Sequence, residues 1–214
     1  MKINVVKNIL DANDQMAAEN KLFFEKRHIV AVNIMASPGA GKTSLILRTI
    51  EGLGEPIAVI EGDIASTFDA EKVGEKQVPV VQINTDGACH LDAVMVASAL
   101  AELDLAAIDL LLIENVGNLV CTAGFDLGEH LRIVLLGVTE GDDKAVKYPA
   151  IFQGADALVL TKLDLLPHTN FRVERITADM RRLAPRAEVF QLSALHGPGT
   201  APAAEWIAAR CGKK

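Results

Sequence analysis

The sequence feature that most constrains the fold is a glycine-rich turn between an apolar strand and a helix. After the run IVAVNIM (29–35) the chain continues as ASPGAGKTSLILRTI. Residues 36–43 match the phosphate-loop pattern, with Ala36 in place of its usual first glycine. Such a loop wraps a triphosphate with backbone N–H groups at the positive end of a helix. The turn therefore predicts a nucleotide-binding α/β domain.

Further short apolar runs alternate with helical patterns along the chain. The runs lie at 57–63, 78–83, 108–114, 132–138, 157–162 and 187–192. Apolar residues at helical spacing occur in Asn8–Lys26, Lys42–Glu51, Leu91–Leu103, Phe171–Leu183 and Ala203–Ala209. This alternation predicts a doubly wound, mostly parallel sheet with helices on both faces. We expect one nucleotide-binding domain over 1–214, with residues 1–28 as an amphipathic helix packed on it.

Composition narrows the possible partners and the compartment. No apolar run reaches the roughly 18–20 residues of a membrane span, and Met1–Asp11 lacks the features of a secretory signal. The net charge is −7, and no basic run resembles a nucleic-acid stripe. The three cysteines lack CxxC spacing, which favours free thiols or metal ligands in a reducing compartment. We expect a soluble, cytoplasmic protein that binds neither nucleic acid nor membrane.

The phosphate loop assigns a role to each of its polar positions. Gly39 and Gly41 would let the backbone approach the phosphates closely. Lys42 would neutralise charge on the β- and γ-phosphates, and the Thr43 hydroxyl would bind Mg²⁺. The predicted loop contacts to the nucleotide are Gly39, Ala40, Gly41, Lys42, Thr43 and Ser44.

Two carboxylates end predicted strands at the edge where the phosphate loop lies. Asp63 closes the run IAVIEGD, and Glu114 closes IDLLLIE. Ligands bind at the carboxyl ends of strands in such sheets, although a strand-end carboxylate can also serve only solubility. We expect Asp63 in the Mg²⁺ shell, partly through water, and Glu114 with the Gly117 backbone beside the γ-phosphate. Lys42, Asp63 and Glu114 form the predicted catalytic set.

The tetrapeptide TKLD (161–164) predicts selection of guanine. A fixed carboxylate at Asp164 can accept hydrogen bonds from guanine N1–H and N2–H₂, whereas adenine presents a lone pair at N1. Lys162 would lay its aliphatic stem along the base. Thr161 replaces the commoner Asn of this motif. The pair Ser193 and Ala194 has the position of a second base-contacting loop.

The stretch NTDGACHLDA (84–93) places Cys89 directly before His90. Thiolate and imidazole are ligands that Zn²⁺ and Ni²⁺ prefer. Cys121, seven residues after Glu114, is a possible third donor. Three donors leave the ion one ligand short, which a symmetric dimer could supply. Buried cysteines that serve only the core are the alternative.

Several longer motifs resemble the HypB family of GTPases that insert nickel during [NiFe]-hydrogenase maturation. They are SPGAGKTS, IEGDIAS, QINTDGACHLDA, ENVGNLVCTAGFDLGE, VTEGDDKAVKYP and TKLDLLP. The resemblance implies a SIMIBI-class GTPase that dimerises with nucleotide. It implies a Zn²⁺/Ni²⁺ site at the dimer interface, built from Cys89, His90 and Cys121. It further implies nickel delivery to the hydrogenase large subunit together with a HypA-type partner.

Two departures from that family limit what is expected. Residues 1–26 contain neither Cys nor His, so we expect no nickel storage motif there. Val94 and Ser98 stand where some relatives carry extra histidines.

The segment from Glu114 to Cys121 is the predicted link between nucleotide and metal. A urease-type nickel chaperone, a small-molecule P-loop kinase and a nucleotide-gated interaction module are the alternatives.

Overall fold

The computed structural model describes residues 5–53, 56–64, 68–193 and 201–210. Its centre is a seven-stranded sheet in the order β3-β2-β4-β1-β5-β6-β7. The strands are β1 (Val30–Ala36), β2 (Ile57–Asp63), β3 (Val80–Asn84), β4 (Leu110–Glu114), β5 (Leu131–Gly137), β6 (Ala157–Thr161) and β7 (Glu188–Gln191). Each corresponds to one of the predicted apolar runs.

Every pair of neighbouring strands in this sheet is parallel, so the sheet is more regular than the mostly parallel arrangement expected. Strands β1, β2 and β4 to β6 are buried almost throughout. A strand covered on both faces needs apolar residues at consecutive positions, which explains its continuous rather than alternating hydrophobicity. From β1 the chain moves towards one edge of the sheet, and from β4 it moves towards the other edge. This change of direction places a crevice beyond the carboxyl ends of β1 and β4.

Helices cover both faces, as predicted. The described helices are α1 (Val5–Arg27), α2 (Lys42–Gly52), α3 (Phe68–Gly74), α4 (Ala93–Glu102), α5 (Lys144–Lys147), α6 (Pro149–Gln153), α7 (Val173–Leu183) and α8 (Ala201–Ala208). On one face, α2, α3 and α8 bury residues such as Ile46, Val73 and Ile207 against the sheet. On the other, α1 and α4 form one core and α5 to α7 form a second.

Short elements were missed by the hydrophobic periodicity. Helices α3, α5 and α6 and the 3₁₀ helices at Cys121–Gly124 and Leu163–His168 span only 4 to 7 residues each. Such lengths complete too few turns for a recognisable repeat. Within the described residues, no helix combines the length and apolarity that crossing a membrane would require.

Candidate functional site

The phosphate loop joins β1 to α2 and has the backbone that its glycines permit. Gly39 and Gly41 have φ values of 72° and 102°, in the left-handed region that favours glycine. Ala36 lies within β1 and is not among the residues with positive φ, so its replacement of the usual glycine requires no strained backbone. Helix α2 begins at Lys42, whose side chain is buried beside the loop.

The loop after β4 packs directly on the phosphate loop. A Cβ atom added to Gly117 would lie 2.9 Å from Pro38 Cα, N and Cγ. Real side chains do not approach this closely, so only glycine fits without displacing one of the two loops. The contact brings the loop that follows β4 to the phosphate loop.

A carboxylate pair faces Lys42 and Thr43. Glu114 Oε1 lies 3.4 Å from Lys42 Nζ and accepts a hydrogen bond from Thr43 Oγ1 at 3.2 Å. Glu61 stands opposite Glu114 in the register of β2 and β4, and both side chains are buried. With both carboxyl groups ionised, Glu61 Oε1 and Glu114 Oε2 have no hydrogen-bond donor among the described residues. Buried oxygens without partners are costly, which favours a ligand that would bind them.

Lys42, Glu61 and Glu114 line one cavity of about 240 Å³ at the edge of the sheet. Its wall also includes the following predicted or newly found residues: Gly39, Asp63, Asp69, Gln82 and Gly117. Four carboxyl groups and one lysine therefore line the same cavity, an arrangement that suits a divalent cation accompanied by phosphate.

The pKa values reflect this crowding of carboxyl groups. Burial, followed by the neighbouring Glu114 carboxylate, raises the pKa of Glu61 from 4.5 to about 10. Burial also raises the pKa of Glu114, although Lys42 acts in the opposite direction. Both shifts favour a proton held by the pair. A bound cation would favour the doubly ionised pair.

Two residues of the predicted base-reading segment, Thr161 and Lys162, lie beside the phosphate loop. A cavity of about 80 Å³ is lined by Ala40, Gly41, Ser44, Leu45, Thr161, Lys162 and Leu192. Thr161 Oγ1 donates to the Ala40 carbonyl at 2.7 Å, so the residue that replaces Asn supports the phosphate loop. Ser193 Oγ donates to Asp164 Oδ1 at 2.8 Å, which fixes the carboxylate. Ala194 lies outside the described residues.

Cys89, His90 and Cys121 come together as a potential metal centre. One ligand atom from each lies within 4.8 Å of the others. Cys89 Sγ is 3.7 Å from His90 Nδ1, and the three residues are partly buried. Among the described residues, these three form the group of His, Cys, Asp or Glu side chains whose ligand atoms lie close enough together to hold one metal ion. It matches the soft donor set predicted from the sequence.

Local turns position the first two ligands. After β3 the chain reverses at Asp86 and Gly87, whose φ values are 48° and 104°. Thr85 Oγ1 donates to the Ala88 carbonyl at 2.7 Å and closes this turn. Asp92 then caps α4 by accepting from the Met95 N–H at 2.8 Å. The two ligands therefore occupy a short, fixed loop between a turn and a helix start.

The third ligand and the imidazole are held by neighbouring side chains. Asn118 Oδ1 accepts from the N–H groups of Val120 and Cys121, at 2.7 and 3.0 Å. The Phe125 ring stacks on His90, with 3.8 Å between centroids and 24° between planes. A hydrogen bond with Cys89 raises the pKa of Cys121, whereas burial lowers the pKa of His90. At neutral pH the imidazole is thus available as a ligand, and Cys121 holds its proton until a metal displaces it.

Sequence reasoning missed several of these residues. Glu61 could have been found, because residues 61 and 63 share one face of a strand. Thr161 was noticed only as a departure from a motif. Phe125 reaches His90 through the fold, across 35 positions of sequence, and no local pattern announces that contact.

Comparison with known proteins gives a consistent result. Residues 30–191 match the family model "CobW/HypB/UreG, nucleotide-binding domain". A hydrogenase maturation factor HypB of Azotobacter vinelandii is 51% identical over 208 residues, which cover 96% of this chain and 68% of that protein. The HypB protein of Escherichia coli K12 is 43% identical, covering 94% of this chain and 70% of its own length.

Solved structures agree with the sequence relatives. The crystal structure of HypB from Helicobacter pylori in complex with nickel has a TM-score of 0.90 and 38% identity. The match covers 94% of this chain and 95% of that one. HypB from Archaeoglobus fulgidus has a TM-score of 0.88 and 39% identity, covering 94% of this chain and 100% of that structure.

Proposed function

The chain belongs to the HypB hydrogenase maturation factors of the CobW/HypB/UreG family, and from this premise we propose that it is a Mg²⁺-dependent GTPase that delivers nickel. One observation carries the proposal. A phosphate loop with buried, unpartnered carboxylate oxygens and a Cys-Cys-His cluster occur together at the carboxyl edge of one sheet. Such a pairing suits a protein in which nucleotide controls a metal cargo.

In the proposed reaction, a water molecule attacks the γ-phosphorus of GTP. The bond between that phosphorus and the bridging oxygen breaks, and the products are GDP and phosphate. The backbone at Gly39 and Gly41 would surround the phosphates, and Lys42 would neutralise their developing charge. Mg²⁺, when bound, supplies further charge neutralisation. Thr43 and Asp63 would hold it, and Glu114, which accepts a hydrogen bond from Thr43, would lie on the γ-phosphate side. The Gly117 backbone would lie beside the γ-phosphate.

Guanine is the proposed base. Asp164, held by Ser193, would accept from N1–H and N2–H₂, with Lys162 along the ring and Ala194 in the adjoining loop. Replacing Asp164 with Ala should therefore weaken binding of GDP by about tenfold or more and leave the weak binding of ADP unchanged. Equal losses for the two nucleotides would contradict the assignment.

Nickel is the proposed cargo at Cys89, His90 and Cys121, and Zn²⁺ is the alternative ion for the same donors. The crystal structure of the Helicobacter pylori relative is described as a complex with nickel. Three side chains leave a fourth position open, and we propose that a homodimer promoted by GTP or metal pools the donors. A HypA-type nickel chaperone and the hydrogenase large subunit are the proposed partners, and the cytoplasm is the proposed location.

Two measurements test this function. First, the purified protein should release phosphate from GTP without any acceptor, which separates a hydrolase from a small-molecule kinase. Second, Cys121→Ala should lose stoichiometric Ni²⁺ binding in calorimetric titration, whereas Val120→Ala, which changes an exposed neighbour, should retain it. Full nickel binding by the Cys121 variant would refute the metal site.

A further inference from the structure

A buried asparagine connects the nucleotide edge to the metal cluster. Asn115 directly follows Glu114 and is fully buried. Its Oδ1 accepts from the N–H of Leu91 at 3.1 Å and from the N–H of Val116 at 2.9 Å. Leu91 is the residue after His90, so one side chain fixes the backbone on both sides. Glu114, which contacts Thr43, precedes Asn115 in the sequence, and His90 precedes the Leu91 whose N–H Asn115 binds.

Leu91 is fixed a second time, through its side chain. It is fully buried, and a Cβ added to Gly62 would lie 2.8 Å from its Cγ and Cδ1 atoms. Gly62 lies between Glu61 and Asp63, at the end of β2 that lines the nucleotide cavity. Movement of this strand end would therefore displace Leu91, the residue that follows His90.

The other side of His90 is connected to the same asparagine. Asn115 Nδ2 donates to Asn33 Oδ1 at 3.2 Å, and Asn33 Nδ2 donates to Glu129 Oε1 at 3.2 Å. Glu129 Oε2 accepts from the Leu127 N–H at 2.7 Å. Leu127 is two residues from Phe125, whose ring stacks on His90. Asn115 is therefore connected to His90 in two ways: through Leu91, and through the chain of contacts that ends at the Phe125 ring.

We propose that Asn115 is a positioning residue that sets the orientation of His90 according to the nucleotide bound beside Glu114. The inference rests on the proposed function, because it presumes that nucleotide and nickel bind at the sites described above. It adds a route distinct from the segment between Glu114 and Cys121. Nucleotide that repositions Glu114 or the end of β2 moves Asn115 and Leu91, and thereby changes nickel affinity. Reciprocity then requires nickel to change nucleotide affinity by the same factor.

The test measures the Ni²⁺ dissociation constant of the full chain twice, with Mg²⁺ and GDP and with Mg²⁺ and the non-hydrolysable analogue GppNHp. In the wild type the two constants should differ by about fivefold or more. In Asn115→Ala the ratio should fall by about twofold or more, because the route through Leu91 is lost, while nickel stoichiometry is retained. Gly62→Ala approaches the same link sterically and removes no hydrogen bond, so it tests the route even if the first variant fails to fold.

Gly124→Ala is the matched control, because a Cβ there meets nothing within 4 Å although the residue lies near Cys121. It should keep the wild-type ratio. Folded Asn115 or Gly62 variants with the wild-type ratio would overturn the inference, as would a wild-type ratio of one. Absence of nickel or GppNHp binding in the wild type would instead refute the proposed function. A merely structural role would alter melting temperature without changing the ratio.

Discussion

Replacing Gly117 with Ala tests whether the loop after β4 and the phosphate loop function as one surface. The added Cβ would lie 2.9 Å from backbone and ring atoms of Pro38. Ordinary carbon contacts begin near about 3.5 Å, so one loop must retreat by about 0.6 Å. Pro38 cannot rotate its ring out of the way, because two of the three contacted atoms belong to the backbone. Overpacking of this kind costs about 1–3 kcal/mol.

If the phosphate loop retreats, that energy is lost from nucleotide binding. About 1–3 kcal/mol corresponds to a loss of affinity of about 5- to 150-fold. Titration with a fluorescent GDP should reveal this loss, and the melting temperature of the nucleotide-free protein should fall by about 2–4 °C per kcal/mol that remains in the fold. Gly52→Ala, where a Cβ meets nothing within 4 Å, is the control. Unchanged affinity together with an unchanged melting temperature in Gly117→Ala would refute the packing argument.

Three further predictions address the carboxylates and the aromatic support. Glu61→Gln should melt as wild type near pH 5 and at a higher temperature near pH 8, because a pKa raised from 4.5 to about 10 makes wild-type stability fall as pH rises through that window; parallel melting curves against pH would contradict this. The hydrogen bond from Arg172 lowers the pKa of Asp142, so Asp142→Asn should lose about 1–2 kcal/mol in denaturant unfolding at pH 7. The loss should shrink progressively as pH falls from the ordinary pKa of 3.8 towards the lowered folded value, and a loss that does not change with pH would exclude the linkage. Phe125→Leu should weaken Ni²⁺ binding several-fold at unchanged stoichiometry, and wild-type affinity would remove any role for the stacked ring.

The sheet and the phosphate loop could be predicted because their signals are local. Buried parallel strands require continuous apolar runs, and the loop requires glycine where φ is positive, as at Gly39 and Gly41. Cys89 and His90 could be proposed together because they are neighbours in sequence. Their joining with Cys121 depends on the strand order, which places β2 between β3 and β4. The sequence therefore identifies the candidate donors, but their proximity in space depends on the order of the strands.

The supports of the metal cluster could not be predicted for the same reason, and helix α1 is the clearest case. Asn20 Nδ2 donates to the Ala93 carbonyl at 2.8 Å and to the Leu127 carbonyl at 3.1 Å. Asn13 accepts from the Ala93 N–H at 2.9 Å. Polar groups this deeply buried require partners, so helix α1 satisfies the backbone of both segments that flank His90. In the sequence these asparagines are simply polar positions of an amphipathic helix, because the pattern of one element does not reveal which carbonyls the fold leaves for it to bind.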